Sequence, residues 1–305
     1  MESLEALEAH RRGVARLIPI LDAVRSIAEL AWRHAERGFR PLDAYAERLR
    51  ASFERLVSTL TREERAALIG RDHLPVGLLF VSSERGLCGA FNERLVEYGL
   101  TRARALTEGG ETVRYLCLGG RSRRLLEAAG VTLLYTKALA SLSVPAYVDI
   151  QEVALDVLSL VDRKAFGRLV VIHNAPTRRF QYAPTLRPLL PPELPTASGP
   201  PASASVRPAG DTPVLLTHLM TEQVLVALFR GVMESVISEQ LARIYTMRLA
   251  ADNARRLVDD LTTQCNLARR NAITNSLLEV IAGYDATLHS GKPSVSRARP
   301  DGTRA

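Results

Sequence analysis

The chain is poor in cysteine and in aromatic residues, and both shortages narrow what it can be. Only three cysteines occur in 305 residues, Cys88, Cys117 and Cys265, far apart and without a C-x-x-C pair. An odd count with no metal-ligand spacing argues against a disulfide-stapled scaffold or a zinc site and fits a reducing compartment. Aromatics make up 5% of the residues, with a single Trp, so Leu, Val, Ile and Ala must supply much of the packing, a composition that leans helical. No run approaches the ~18 apolar residues that a membrane-spanning helix needs. The opening Met1-Glu2-Ser3-Leu4-Glu5 lacks a basic n-region and no apolar h-region follows, so no secretory leader is expected. The phosphate-binding loops G-x-G-x-x-G and G-x-x-x-x-G-K-[ST] are also missing.

What is present is enough apolar material, 47% of the residues, for a substantial core, and a formal net charge of +7. The charge suits an acidic partner, a membrane surface or nucleic acid. Against nucleic acid, the basic residues are interleaved with acids and few aromatics stand near them to stack on bases.

Proline marks the organisation. Seven of the sixteen prolines fall between Pro191 and Pro213, in PPELPTASGPPASASVRPAGDTP, a linker or long exposed loop. From Val214 through Lys292 there is none, and Gly231 and Gly283 are the only glycines before Gly291. The spacing predicts one nearly continuous helix from Val214 to about Leu288, close to 105 Å at ~1.5 Å per residue. Its seam steps by seven through Ile237, Ile244, Ala251, Val258, Cys265 and Ala272, with Met247, Ala254, Leu261 and Ala268 as the companion row. A sustained a/d heptad is the signature of a coiled coil, and its small residues call for a close partner. Its other faces carry Arg243, Arg248, Asp252, Arg255, Arg256, Asp259, Asp260, Arg269 and Arg270, read as a mainly solvated surface.

The partner is expected from the N-terminal region, where Leu17, Ile20, Leu21, Val24, Ile27 and Ala28 recur at helical spacing. Pro19 should kink that helix or restart it, and Pro41 is a second irregularity. Between the two helical ends the texture changes. Val76–Val81, Val113–Leu118 and Leu169–Ile172 are continuous apolar runs, with helical stretches over Asn92–Leu106, Ser122–Ala129 and Val148–Val161. Alternating buried strands and helices mean a parallel α/β sheet with crossovers. The expected divisions are therefore 1–70 helical, 75–190 α/β, 191–213 linker, 214–289 long helix and 290–305 a basic tail.

Chemistry is sparse. Gly119-Gly120-Arg121-Ser122-Arg123-Arg124 opens a helix with arginines and is an anion site in principle, although a tight βα turn with exposed arginines explains it as well. Gly120-x-Ser122 is not a nucleophile elbow, because Arg124 stands where glycine is required. The six histidines (His10, His34, His73, His173, His218, His289) are scattered singly, so no metal site is read and each is expected at the surface or at a helix cap. No catalytic site and no cofactor are expected.

Two long segments resemble one family. Ser82-Ser83-Glu84-Arg85-Gly86-Leu87-Cys88-Gly89-Ala90-Phe91-Asn92 is similar to the S-[ST]-[DE]-R-G-L-C-G-G-x-N segment of the gamma subunit of F-type ATP synthases. The stretch from Ser238 to Gly283 resembles the same family's S-E-x-x-A-R-x-x-A-M-x-x-A-x-D-N pattern and its N-x-A-R-x-x-x-I-T ending. Val171-Ile-His-Asn174 and a Pro188-Leu-Leu-Pro191 turn are weaker likenesses. Departures occur at Arg16–Val24, at Ser276 where the family carries a carboxylate, at Tyr284, and at Arg270 where it commonly has Gln. They resemble a divergent, sodium-type branch.

The resemblance implies a non-catalytic rotor that couples proton or sodium flow to ATP synthesis or hydrolysis on partner subunits. Its expected form is an antiparallel coiled coil of the two chain ends above a Rossmann-like foot. Implied partners are the alpha and beta subunits, the epsilon subunit and a membrane c-type ring, with attachment to the cytoplasmic face of the bacterial inner membrane through those partners alone. Arg243 falls on the arginine that in the family contacts a moving loop of a beta subunit. Thr274 and the altered Arg270 fall on further contact positions. Arg85, Gly86, Leu87, Cys88 and Gly89, with Glu84, are expected to shape the foot. A coiled-coil scaffold with an α/β head that does not turn, and a nucleotide-binding enzyme using Gly119-Gly120, stand as alternatives.

Overall fold

The computed structural model describes residues 3–61, 73–139, 145–177, 181–191 and 212–290. Helix α1 spans Leu4–Thr59, and the sheet domain follows as β1 (Val76–Val81), α2 (Phe91–Glu108), β2 (Val113–Leu118), α3 (Gly120–Ala128), β3 (Leu133–Lys137), α4 (Tyr147–Asp162), β4 (Arg168–Pro176) and β5 (Tyr182–Leu190). Helix α5 then runs from Thr212 to Ser290, 79 residues. The body of the 191–213 linker and the tail beyond 290 lie outside the described residues. Among the described residues no helix is long and apolar enough to cross a membrane.

The five strands lie in the order β3-β2-β1-β4-β5. The first four are parallel, while β5 runs antiparallel to β4, so the sheet is mixed and not purely parallel. Strands β3 and β5 are absent from the sequence reading for opposite reasons. β3 alternates partly buried with exposed residues, as suits an edge, and has no continuous apolar run. β5 carries Pro184 and Pro188, and its end reads in sequence as the Pro188-Leu-Leu-Pro191 turn. At a sheet edge the missing N–H groups face outward and cost no ladder bond, and the expected turn residues Leu189 and Leu190 are instead buried in β5.

Strand β1 is buried on both faces, which explains its uninterrupted apolar run. Leu78 and Phe80 join Leu95, Val96 and Ala103 of α2 and Leu126 of α3 on one side. Leu79 and Val81 join Ile150, Val153 and Val157 of α4 on the other, together with Val224, Leu225, Leu228 and Val232 of α5. The long C-terminal helix is therefore part of the sheet domain's core, and the α/β domain is incomplete without it. The Ser235 hydroxyl adds a polar tie, donating to the Val81 carbonyl at 3.2 Å.

The chain divides into two contact units, Leu21–Leu249 and the pair Met1–Ile20 with Ala250–Ala305. In the first, α1 and α5 pair antiparallel. Phe53, Val57 and Leu60 meet Leu216, Leu219 and Met220, Asp43 meets Arg230 at 2.8 Å, and the fully buried Ala35 meets Met233 and Ile237. In the second, Leu7 packs with Leu261 and Cys265, and Glu8 pairs with Arg269 at 2.8 Å.

Helix α1 carries a heptad that the sequence reading missed. Leu7, Val14, Leu21, Ala28, Ala35, Leu42, Leu49 and Leu56 are each seven apart and each buried or half-buried, as an a-type seam requires. Leu17, Ile20 and Ile27, read as part of the apolar face, are exposed. Pro19 and Pro41 neither end nor restart the helix. Both lie on its exposed side, where the carbonyl left without its helical donor is open to water.

On α5, Ile237, Met247, Ala251, Ala254, Leu261 and Cys265 are buried, and Ile244, Val258 and Ala268 half-buried. Ala272 departs from the expected seam, being exposed like every residue from Arg269 to Asp285. Glu8 on α1 is level with Arg269 and the helix α1 begins at Leu4, so little of that helix lies alongside the residues farther along α5.

Candidate functional site

The loop between β1 and α2 is held by its own side chains. Asn92 closes it, its Oδ1 accepting from the Ser83 N–H at 3.1 Å and its Nδ2 donating to the Ser83 hydroxyl at 2.9 Å. The Ser83 hydroxyl also reaches the Arg85 carbonyl at 2.7 Å. Cys88 sits beneath, with Asn92 Nδ2 at 3.5 Å from its sulfur. Burial pushes its thiol above the ordinary range despite the Ser83 hydrogen bond, so it is a packing residue rather than a nucleophile. Between these anchors Leu87 takes a left-handed φ of 66° and is 62% exposed, a conformation held by its neighbours.

The same loop fills the anion position at the start of α3. Gly120 N–H donates to the Glu84 carboxylate at 2.8 Å, Arg121 N–H to the Ser83 carbonyl at 3.1 Å, and Ser122 N–H to the Ser82 hydroxyl at 3.3 Å. A helix N-terminus binds phosphate through free amides, and these first three are taken. The Gly119-Gly120 turn is structural, with Gly119 at φ 102° and packed so closely on Ser82 that a Cβ there would overlap its carbonyl and hydroxyl oxygens.

The other side of the loop meets α5, and Arg243 makes the joint. The sequence places Arg243 on a solvated, partner-facing surface; here it is 3% exposed. Its Nη2 donates to the Gly86 carbonyl at 3.2 Å and to Glu239 Oε1 at 2.6 Å, and its Nη1 to Gln240 Oε1 at 2.9 Å. The reason is tertiary: the loop folds over this turn of the helix and leaves a carbonyl that needs a donor. Burial pushes the Glu239 carboxyl up, and the Arg243 charge opposes that rise. Beside it, Gly89 at φ 60° comes so near α5 that a Cβ would lie 2.9 Å from the Thr246 hydroxyl. Cys88, Phe91 and Ala242 form an apolar cluster behind the joint.

Gly86, Cys88 and Gly89 thus form one site with Arg243, 157 residues beyond Gly86 in sequence. Arg270 and Thr274 belong to the other contact unit, both exposed, with the Thr274 hydroxyl bonded to the Arg270 carbonyl at 3.0 Å. His173 also departs from expectation. It is wholly buried, its Nε2 2.7 Å from a Glu234 carboxylate oxygen. Its position directly after the apolar run Leu169–Ile172 was the available signal. Among the described residues no group of acidic, His and Cys side chains can hold a metal ion.

A family model described as ATP synthase matches residues 3–287. The chain belongs to the ATP synthase gamma chain family. The ATP synthase gamma chain of Rhizorhabdus wittichii is 33% identical over 297 residues, covering 94% of this chain and all of that one. The gamma chain of Ruegeria sp. strain TM1040 is 28% identical over 291 residues with the same coverage. Among solved structures, a chain of the Euglena gracilis mitochondrial ATP synthase (OSCP/F1/c-ring, rotational state 3) superposes with a TM-score of 0.65 at 14% identity, over 97% of this chain and 98% of that one. A chain from the Tetrahymena thermophila central stalk and c-ring gives 0.56 at 14% identity, over 76% and 99%. The gamma chain fold accounts for the mixed sheet and the long N- and C-terminal helices together.

Proposed function

We propose that this gamma chain is the non-catalytic rotor of an F-type ATP synthase, coupling transmembrane ion flow to ATP synthesis or hydrolysis on partner subunits. The observation that carries the reading is the packing of α5 into the sheet core, within a chain that matches gamma chains over nearly its whole length. A rotor element must not turn relative to the domain that drives it or is driven by it. Here the helix is part of that domain's core and is tied to it again through Arg243 and Gly86.

The partners proposed are the alpha and beta subunits around the paired helices, and the epsilon subunit and c-type ring at the sheet domain. Attachment is peripheral, on the cytoplasmic face of the bacterial inner membrane. Arg270 and Thr274, exposed on α5, are the proposed contacts with the surrounding subunits. Arg243 is assigned instead to holding the loop on the helix.

Co-purification with alpha and beta subunits tests the assignment, and a chain that never associates with them defeats it. Cross-linking α5 near Thr274 to its collar should abolish ATP-driven ion pumping. Pumping that survives the cross-link favours the non-rotary scaffold.

A further inference from the structure

Apolar packing holds α5 against the sheet but does not define where along its axis, or at what rotation, the helix sits, because such contacts are non-directional. Directional bonds do that: besides the single hydrogen bonds of Ser235 to Val81 and of Arg243 to Gly86, they converge on one residue. Glu234 is 6% exposed and accepts from three elements. From β4 comes His173, whose Nε2 lies 2.7 Å from Oε2. Arg187 of β5 donates through Nη2 to both oxygens at 3.0 Å, and Arg230, one turn back on α5, donates through Nε to Oε1 at 3.1 Å. Arg230 also reaches Asp43 of α1 through Nη1 at 2.8 Å. One carboxylate therefore joins two strands and, through one guanidinium, the N-terminal helix.

Burial alone would raise the Glu234 carboxyl, but the His173 hydrogen bond and the Arg187 and His173 charges outweigh it and bring it down to about 2. The group is a fixed anion, and charge-assisted bonds of this kind are among the strongest and most directional a protein makes.

We propose that Glu234 is a positioning residue for energy transmission, the joint that fixes the register of α5 on the sheet domain so that rotation of one carries the other. This rests on the rotor reading above. Loss of the joint leaves the apolar core and the two single hydrogen bonds of Ser235 and Arg243 to hold the helix, which resist separation but yield to slip under torque. ATP hydrolysis on the subunits around the helix then continues while less of its energy reaches the ion path.

The test uses the whole complex in inverted membrane vesicles, carrying Glu234→Gln, with Arg187→Gln as a second variant that opens the joint from the sheet edge. ATP hydrolysis and ATP-driven ion pumping are measured on the same vesicles. The expected result is hydrolysis within about twofold of wild type and pumping reduced more than about fivefold, a split that a general folding defect would not produce. If Glu234→Gln does not assemble, Arg187→Gln decides. The proposal is overturned if neither variant separates the two activities, whether both fall in parallel or neither changes. Wild-type vesicles that hydrolyse ATP but never pump would instead defeat the rotor reading itself.

Discussion

Replacing Arg243 with Ala removes a buried cation and leaves its anion behind. Arg243 lies 2.6 Å from Glu239, and both side chains are buried, so the variant strands the Glu239 carboxylate with its desolvation uncompensated. Breaking a buried pair from one side costs about 3–5 kcal/mol. For a unit the size of Leu21–Leu249 this corresponds to a fall in melting temperature of about 6 to 20 °C.

The loss has a definite pH signature. Burial raises the folded-state Glu239 pKa above its ordinary value, and Arg243 is the main opposing influence. A carboxyl raised on folding favours the native state below its unfolded pKa, and that contribution is lost as pH rises through the folded value. Without Arg243 the folded value climbs further, so the deficit of Arg243→Ala should be large at pH 7 and narrow on acidification to pH 5. Adding Glu239→Gln removes the stranded charge, and the double variant should recover more than about half of the loss. Circular dichroism melts of wild type, Arg243→Ala, Glu239→Gln and the double variant at both pH values decide the matter. A deficit of constant size between pH 7 and pH 5, with no recovery in the double variant, would refute the reasoning.

Other outcomes follow from the same geometry. Gly119→Ala should destabilise by more than the ~1–3 kcal/mol of a left-handed residue alone, because its Cβ would overlap Ser82, whereas Gly110→Ala, at φ 86° with open space around it, should cost only the strain; urea midpoints compare the two. Glu234 is depressed from 4.5 to about 2, so its contribution is present above the ordinary carboxylate range and is lost as pH falls toward 2. The stability gap between wild type and Glu234→Gln should accordingly close over that window in acid unfolding curves. Ala35→Leu forces a larger side chain between α1 and Met233 and Ile237 and should cost about 1–3 kcal/mol, seen as a lowered melting temperature. Glu8→Gln removes an exposed pair with Arg269 and should change stability by less than about 1 kcal/mol.

Much of the fold was legible from period and punctuation. The doubly buried strand β1, the apolar end of β2 and the helices between the strands announce themselves as apolar runs and amphipathic stretches, and the proline gap over Val214–Lys292 marks the long helix. Strand β5 was illegible because its prolines are tolerable only at an edge, and edge status is a property of the sheet. The α1 heptad was present in the sequence all along, from Leu7 to Leu56, but two alanines on it and the competing apolar residues Leu17, Ile20 and Ile27 obscured the step of seven.

The site was legible as a motif and illegible as a geometry. Ser82–Asn92 and Ser238–Arg243 stand out as segments, yet nothing in their spacing says that Gly86 accepts a hydrogen bond from Arg243. A charged residue on a helix reads as surface until something folds over it, and here the loop after β1 does so. His173 and Glu234 show the same limit, being polar letters in sequence and a buried pair in the fold.

The sequence by itself determined the central strands, the helices, the α5 heptad and the family, because helical and strand periods and long motifs are local properties of the chain. Only the tertiary structure decided that α5 completes the sheet core, that Arg243 faces inward and that Glu234 ties two strands to both long helices. Each of those depends on which surfaces meet, and burial, which fixes the energetic value of a charge, exists only once they have met.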